Sequence, residues 1–214
     1  GGNLCCRVGD GMAITPTKRN KRLVTADEIS IVNGKGEPIY QKEGVAVTSE
    51  FGMHQHIYEV RPDVKAVIHA HPPITTGFGI AHSSILEGAV LPEACMELGP
   101  VLSIPYIDPG SKALAVEMGK AIQKTNAVIM QNHGVLVVSS EGLDRAMELL
   151  ELLEATATSV LVAQLLGSVR EISQEDVIRI AKLYQQRGVP APGKPGVYED
   201  ASQAFLNNEV EHEL

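Results

Sequence analysis

The segment KAVIHAHPPI (65–74) carries two histidines, His69 and His71, two positions apart at the end of an apolar, β-branched run. On a strand, residues i and i+2 project from the same face, so the two imidazoles can converge on one ion. The competing reading is a pair of polar residues at a strand terminus. His133 sits in QNHG (131–134), in a tight turn between the apolar runs AVIMQ and GVLVVS, where Gly134 permits close backbone approach. A turn at a sheet edge aims a histidine rather than burying it. Three neutral imidazoles with one open position form a catalytic zinc arrangement, whereas structural sites are usually closed by cysteines. Glu50 lies in the first turn of TSEFGMHQHIYEVRP, which reads as a helix, and offers a carboxylate either to an ion or to the helix dipole.

The remaining histidines sort by geometry. His54 and His56 repeat the i, i+2 spacing but on the helix pattern, where such residues point about 200° apart and cannot share an ion. His82 falls in a loop with no partner in the sequence, and His212 in the acidic tail.

The elements that must position these groups alternate between strand and helix. GMAITP, EISIVN, KAVIHAH, VLSIPY, AVIMQ and GVLVVS read as strands, with NGKGEP as a hairpin turn before IYQ. Thr48 or Ser49 is the expected cap of the helix that Pro62 ends. Residues 72–99 read as a looser segment, followed by the helix SKALAVEMGKAIQKT, a long helix over about 142–167, and SQEDVIRIAKLYQQRG. Interleaved strands and helices point to a layered α/β domain, and hairpin-length connections to a mixed, largely antiparallel sheet. The segment from Val189 is rich in proline, glycine and acidic residues and reads as an arm or as a partly disordered tail.

Composition narrows the function classes. Eighteen Lys and Arg against 26 Asp and Glu give a formal charge of −8, the wrong sign for a general nucleic-acid binder. Cys5, Cys6 and Cys95 form neither a disulfide framework nor a zinc-finger spacing, so free thiols in a reducing, cytoplasmic compartment are expected. The apolar stretch ATATSVLVAQLLG (155–167) is short for a membrane span and continues an acidic helix pattern, which reads as a buried or interface helix.

Taken in order, GGN (1–3), ITPT (14–17), TSE (48–50), HAH (69–71), PY (105–106) and QNHG (131–134) resemble the class II aldolase/adducin family, nearest its fuculose-phosphate aldolase branch. The ordered set, rather than any single motif, carries the resemblance, which runs from Gly1 to about Gly167. It implies a three-layer α/β/α catalytic domain over residues 1–188 with an acidic tail or arm over 189–214, and an N-terminal helix ahead of Gly1. It also implies a homo-oligomer, commonly a tetramer with sites at subunit interfaces. Carried over residue by residue, His69, His71 and His133 match the ligands of one Zn2+ per subunit. Glu50 matches the glutamate that binds the zinc and then acts as acid and base. Gly2, Asn3, Thr17, Lys18, Thr48 and Ser49 match the phosphate pocket of a small phosphorylated sugar.

Two departures stand out. The residue after TPT is commonly glycine in the family, and here it is Lys18, opening KRNKR. Its ammonium either adds a point charge to the phosphate, obstructs close backbone approach, or belongs to a solvated turn. The family tyrosine that protonates the aldehyde oxygen has no clear match; Tyr106, Tyr198 and Glu93 are the candidates. The expected reaction is cleavage of a ketose 1-phosphate to dihydroxyacetone phosphate and an aldehyde. The alternatives are a pentulose-phosphate 4-epimerase, whose branch usually has aspartate at the Glu50 position, and an adducin-like interaction domain without catalysis.

Overall fold

Residues Ala66–Ala70 form a strand that is buried on both faces, and the rest of the molecule is arranged around it. The computed structural model describes residues 1–206; His212 and the end of the acidic tail lie outside them. Eight strands form one sheet: β1 (Asn3–Val8), β2 (Gly11–Ile14), β3 (Ser30–Val32), β4 (Pro38–Tyr40), β5 (Ala66–Ala70), β6 (Leu102–Ile104), β7 (Ala127–Met130) and β8 (Gly134–Ser139). Their order is β4-β3-β2-β1-β5-β8-β7-β6. Every pairing is antiparallel except that of β6 with β7, in line with the mixed, largely antiparallel sheet expected.

Two helical layers cover the sheet. On one face α1 (Phe51–Val60) and α4 (Lys112–Ala121) set Met53, Ile57, Leu114 and Met118 against Cys5, Val67, Leu136 and Val138. On the other, α2 (Pro73–Ile80), α3 (Pro92–Glu97) and α5 (Leu143–Leu166) set Phe78, Leu98, Leu149, Leu153 and Ala157 against Ile129, Val135 and Val137. All six residues of β8 are buried for this reason, and the strand reads as a continuous apolar run instead of an alternating one. α5 is long and apolar enough to cross a bilayer by length and composition. In this fold its buried residues are core: Ala146 packs on Ile68, and Leu149 to Val160 on the sheet. Val162, Leu165 and Leu166 at its end are exposed.

Three expectations need correction. NLCCRV was read for Asn3 and its thiols and not as a strand, yet it is β1, lying between β2 and β5. The looser segment 72–99 contains α2 and α3, each started by a proline at its first positions. The segment from Val189 is folded as far as it is described. Gly193 N–H donates to Asn126, and α7 (Ala201–Leu206) buries Ala201 and Ala204, with Ala201 and Phe205 packing beside α6 (Gln174–Gln186).

Two polar ties hold the ends of β5. Before it, Arg61 grips Asp63 through both carboxylate oxygens and donates to the Ile122 carbonyl, fixing the short turn from α1. After it, Glu154 reaches from α5 to accept from the backbone N–H groups of Ile74 and Thr75 and from the Thr75 hydroxyl. This carboxylate meets the unsatisfied amides at the start of α2. Glu154→Ala is therefore expected to lower the unfolding free energy by about 2–3 kcal/mol, with Glu154→Gln intermediate. Urea denaturation of the three proteins measures it.

Candidate metal centre and active site

Val67, His69 and His71 alternate with Ile68 and Ala70 along the pleat, so the two histidines share the face on which Val67 packs against the α1 layer. α1 starts at that end of the sheet, with Glu50 as its N-cap residue. Thr48 and Ser49, expected as caps, are displaced from that position by Glu50; the Thr48 hydroxyl instead accepts from the Glu50 backbone N–H at 3.3 Å. The turn between β7 and β8 delivers His133. A Cβ on Gly134 would lie 2.4 Å from the His71 ring and 2.6 Å from the Ala70 carbonyl, which is the close approach that only glycine allows.

One ring nitrogen from each of His69, His71 and His133 lies within 4.8 Å of the other two. His71 Nε2 is 3.1 Å from His69 Nε2, His69 Nε2 is 3.4 Å from Glu50 Oε2, and His133 Nε2 is 3.5 Å from Glu50 Oε1. A tetrahedral cation with bonds of about 2.0–2.1 Å separates its donors by about 3.3 Å, so this set has the spacing of a ligand shell. Its donor chemistry agrees. His69 Nδ1 faces the Val135 carbonyl at 2.8 Å, which takes the ring proton and leaves Nε2 as a lone pair pointing into the cluster. Burial holds His69 well below its ordinary value, at about 4, with Glu50 pulling the other way. His71 is lowered too, by burial and then by His133. Glu50 Oε1 and His133 Nδ1 are buried without a hydrogen-bond partner among the described residues. The residues present fit a divalent cation.

Of the other expected site residues, Gly2, Asn3 and Thr48 adjoin this cluster. Gly2 adopts φ +82° and passes so close to β5 that a Cβ would sit 2.2 Å from the His69 carbonyl. Asn3 is buried, and its amide is committed to the protein: Nδ2 donates to Glu50 Oε2 at 2.6 Å and Oδ1 meets His54 Nε2. An antiparallel bridge between Pro16 and Val47, with the Thr17 N–H donating to the Ala46 carbonyl, joins the TPT turn to the segment before α1; in that register Thr17 and Lys18 run away from Thr48 and Ser49. Lys18 is exposed at φ +52°. The left-handed region explains a glycine preference there and costs a lysine about 1–2 kcal/mol.

His56 pairs with Glu59 and lies against Gly119 of α4, while His54 is fully buried and meets Asn3 and Cys5, so the two do not converge. His82, read as partnerless, in fact bonds to Asn132 at 2.8 Å, next to His133, and both residues have positive φ. Of the candidate acids, Tyr106 lies on the exposed stretch after β6, Tyr198 in the C-terminal segment, and Glu93 in α3 near Tyr184 of α6. His54 is the residue that sequence reasoning set aside too far. Its spacing excludes it from the ion but says nothing of its burial against Asn3.

Comparison with known proteins places the chain by sequence and by fold. The family model described as Class II Aldolase and Adducin N-terminal domain matches residues 1–161. An L-fuculose phosphate aldolase of Haemophilus influenzae is 31% identical over 157 residues, covering 73% of this chain and 70% of the relative. A 3-oxo-tetronate 4-phosphate decarboxylase of Pectobacterium atrosepticum is 28% identical over 186 residues, covering 84% and 82%. A solved L-fuculose 1-phosphate aldolase superposes with a TM-score of 0.79 at 26% identity, covering 86% of each chain.

Burying neutral histidines has a consequence for stability. Burial first, and then repulsion from His69, holds His54 at about 3, against an ordinary 6.5. Below about pH 6.5 the unfolded chain therefore binds a proton that the folded chain refuses. Stability of the metal-free protein is expected to fall as pH falls, by about 1.4 kcal/mol per unit from His54 alone, levelling off near its folded value. Denaturant unfolding at pH 7, 6 and 5 measures this slope. His54→Leu should remove that share of it, and an unchanged slope in the variant would show that His54 is not buried uncharged.

Proposed function

The chain belongs to the class II aldolase and adducin family, and on that premise we propose that it is a metal-dependent aldolase cleaving a ketose 1-phosphate to dihydroxyacetone phosphate and an aldehyde. The observation that carries this reading is Glu50. Its Oε2 accepts from Asn3 while its Oε1, buried and unpaired, faces His133 beside the imidazole cluster. That is a carboxylate with one oxygen held and the other ready for a proton.

In this reading His69, His71, His133 and Glu50 hold one divalent cation, taken as zinc. When bound, it supplies Lewis-acid stabilisation of the negative charge that develops on the ketone oxygen as the carbon–carbon bond breaks. The chain's own groups do the rest. Glu50 Oε1 takes the proton from the substrate hydroxyl and returns it to carbon. Thr17, Lys18, Thr48, Ser49 and the backbone at Gly2 border the phosphate, next to the amides at the start of α1, where an anion is favoured. The buried setting of Asn3, Glu50 and His69 excludes water from one side of the reacting atoms.

The exposed apolar end of α5 supports a homo-oligomer, a tetramer by resemblance, and three free cysteines support a cytoplasmic setting. The decarboxylase relative favours a second reading, in which a 3-oxo acid phosphate loses carbon dioxide and leaves the same kind of charge. A glutamate in place of the aspartate usual for the epimerase branch speaks against that alternative, and an intact imidazole set speaks against a purely adducin-like role.

Dihydroxyacetone phosphate in heavy water separates these readings. An aldolase should exchange one carbon-bound hydrogen stereospecifically without any aldehyde. Glu50→Gln should abolish exchange, with metal content measured alongside by elemental analysis. No exchange from metal-loaded protein that decarboxylates a 3-oxo acid phosphate, or that interconverts pentulose-phosphate epimers, would overturn the aldolase reading.

Lys18 has its own test. Lys18→Gly is expected to raise stability by up to about 1 kcal/mol through relief of the left-handed backbone. If the ammonium reaches the phosphate, the same variant should raise KM for the phosphorylated substrate with kcat unchanged.

A further inference from the structure

Behind Glu50 lies a row of buried polar groups that neither face the cluster nor border the phosphate. Cys5 and His54 are fully buried and Asn3 is 5% exposed. Cys5 Sγ lies 3.0 Å from His54 Nδ1, His54 Nε2 meets Asn3 Oδ1, and Asn3 Nδ2 meets Glu50 Oε2 at 2.6 Å. Tyr58 stands at the far end, 3.4 Å from the sulfur, with its hydroxyl donating to the Lys65 carbonyl.

The sense of each bond follows from what each atom can do. Glu50 Oε2 in a carboxylate only accepts, so the Asn3 amide presents its NH2 to it and turns Oδ1 to His54. Oδ1 accepts, so His54 Nε2 carries the hydrogen. A neutral ring has one such hydrogen, which leaves Nδ1 as an acceptor facing the Cys5 sulfur, whose thiol can donate to it or to the Tyr58 hydroxyl. Burial keeps both partners in the required form, His54 uncharged and the Cys5 thiol pushed up to about 12. From His54 to Glu50 each donor points toward the carboxylate, while the Tyr58 hydroxyl gives its own hydrogen to the Lys65 carbonyl.

We propose that His54 is a positioning residue: it locks the Asn3 amide in one orientation, which holds Glu50 by Oε2 and turns Oε1 into the site. Without that lock the amide can rotate, and the flipped amide sets its oxygen against a carboxylate oxygen where its NH2 now stands. Glu50 then swings or the amide is lost as a support. Nothing in the spacing of His54 suggests this role, since its partner is 51 residues away in sequence. The proposal rests on Glu50 being the acid and base of the reading above, and it moves Asn3 from the phosphate to the carboxylate.

Two substitutions and one spectroscopic measurement test it. His54→Leu fills the volume without a donor, while His54→Gln offers an amide N–H where Nε2 stands. His54→Leu is expected to lower kcat about 10- to 100-fold with metal content retained and KM for the phosphorylated substrate within about twofold. His54→Gln should recover most of that loss. In metal-free protein, 15N NMR of the histidine rings should show His54 protonated on Nε2 alone. That arm needs neither folding of a variant nor turnover. If the parent protein fails to cleave ketose 1-phosphates, the function reading falls, while the tautomer still decides whether the row exists. A ring protonated on Nδ1 or on both nitrogens would overturn the proposal. So would equal losses in the two variants, or a loss confined to KM, which would return Asn3 to the phosphate.

Discussion

In the antiparallel pairing of β1 with β5, Asn3 stands directly opposite His69. Most of the site is arranged about that one register. It lays the first residues of the chain across the ligand end of β5, and it puts the Asn3 amide between Glu50 and His54. It also requires Gly2 to pass the His69 carbonyl at a distance that no side chain tolerates. The pairing of β5 with β8 on its other side then brings Leu136 opposite His69 and the His133 turn over the same end. Four segments separated widely in sequence thus meet because one strand has two antiparallel neighbours of matched length.

The electrostatics follow from where this meeting takes place. The chain carries a formal charge of −8, yet the side chains at the cluster are three imidazoles and a single carboxylate, with no lysine or arginine paired to Glu50 among the described residues. Burial disfavours the imidazolium form of His69, so the carboxylate gains no counter-charge from that ring. Its support comes from dipoles: the Asn3 amide and the start of α1. Such a site leaves room for one positive charge from outside the chain, and it is the kind of site where an added cation finds lone pairs already directed at it.

The period of two along β5 made the shared face of His69 and His71 legible, and the period of 3.6 along α1 correctly separated His54 from His56. Gly134 was legible as a point of close approach. What could not be read were partners across large sequence distances, such as His54 with Asn3 and Glu154 with the start of α2. His82 with Asn132 belongs to the same class. β1 was passed over because adjacent cysteines draw attention to redox chemistry, although Cys5 is core and Cys6 is only half-buried on the other face. α2 and α3 are short and start at prolines, and the two glycines in PITTGFGI weaken its helical signal. The tail's polar composition concealed Ala201 and Phe205, whose burial depends on a groove beside α6.

The turn RPDVK between α1 and β5, pinned by Arg61, also bears on how this protein can change through its lineage. A residue gained or lost there, with the strand pairings kept, would slide β5 by one position and exchange its two faces. His69 and His71 would then point at Ala146 and Leu150 of α5, and Ile68 and Ala70 would face Glu50. Loops at the β3–β4 end can vary in length without touching this phase, since β4 is an exposed edge strand far from β5 in the sheet. Insertions and deletions should therefore accumulate at one end of the sheet and be purged from the five residues between α1 and β5, where length is constrained more tightly than composition.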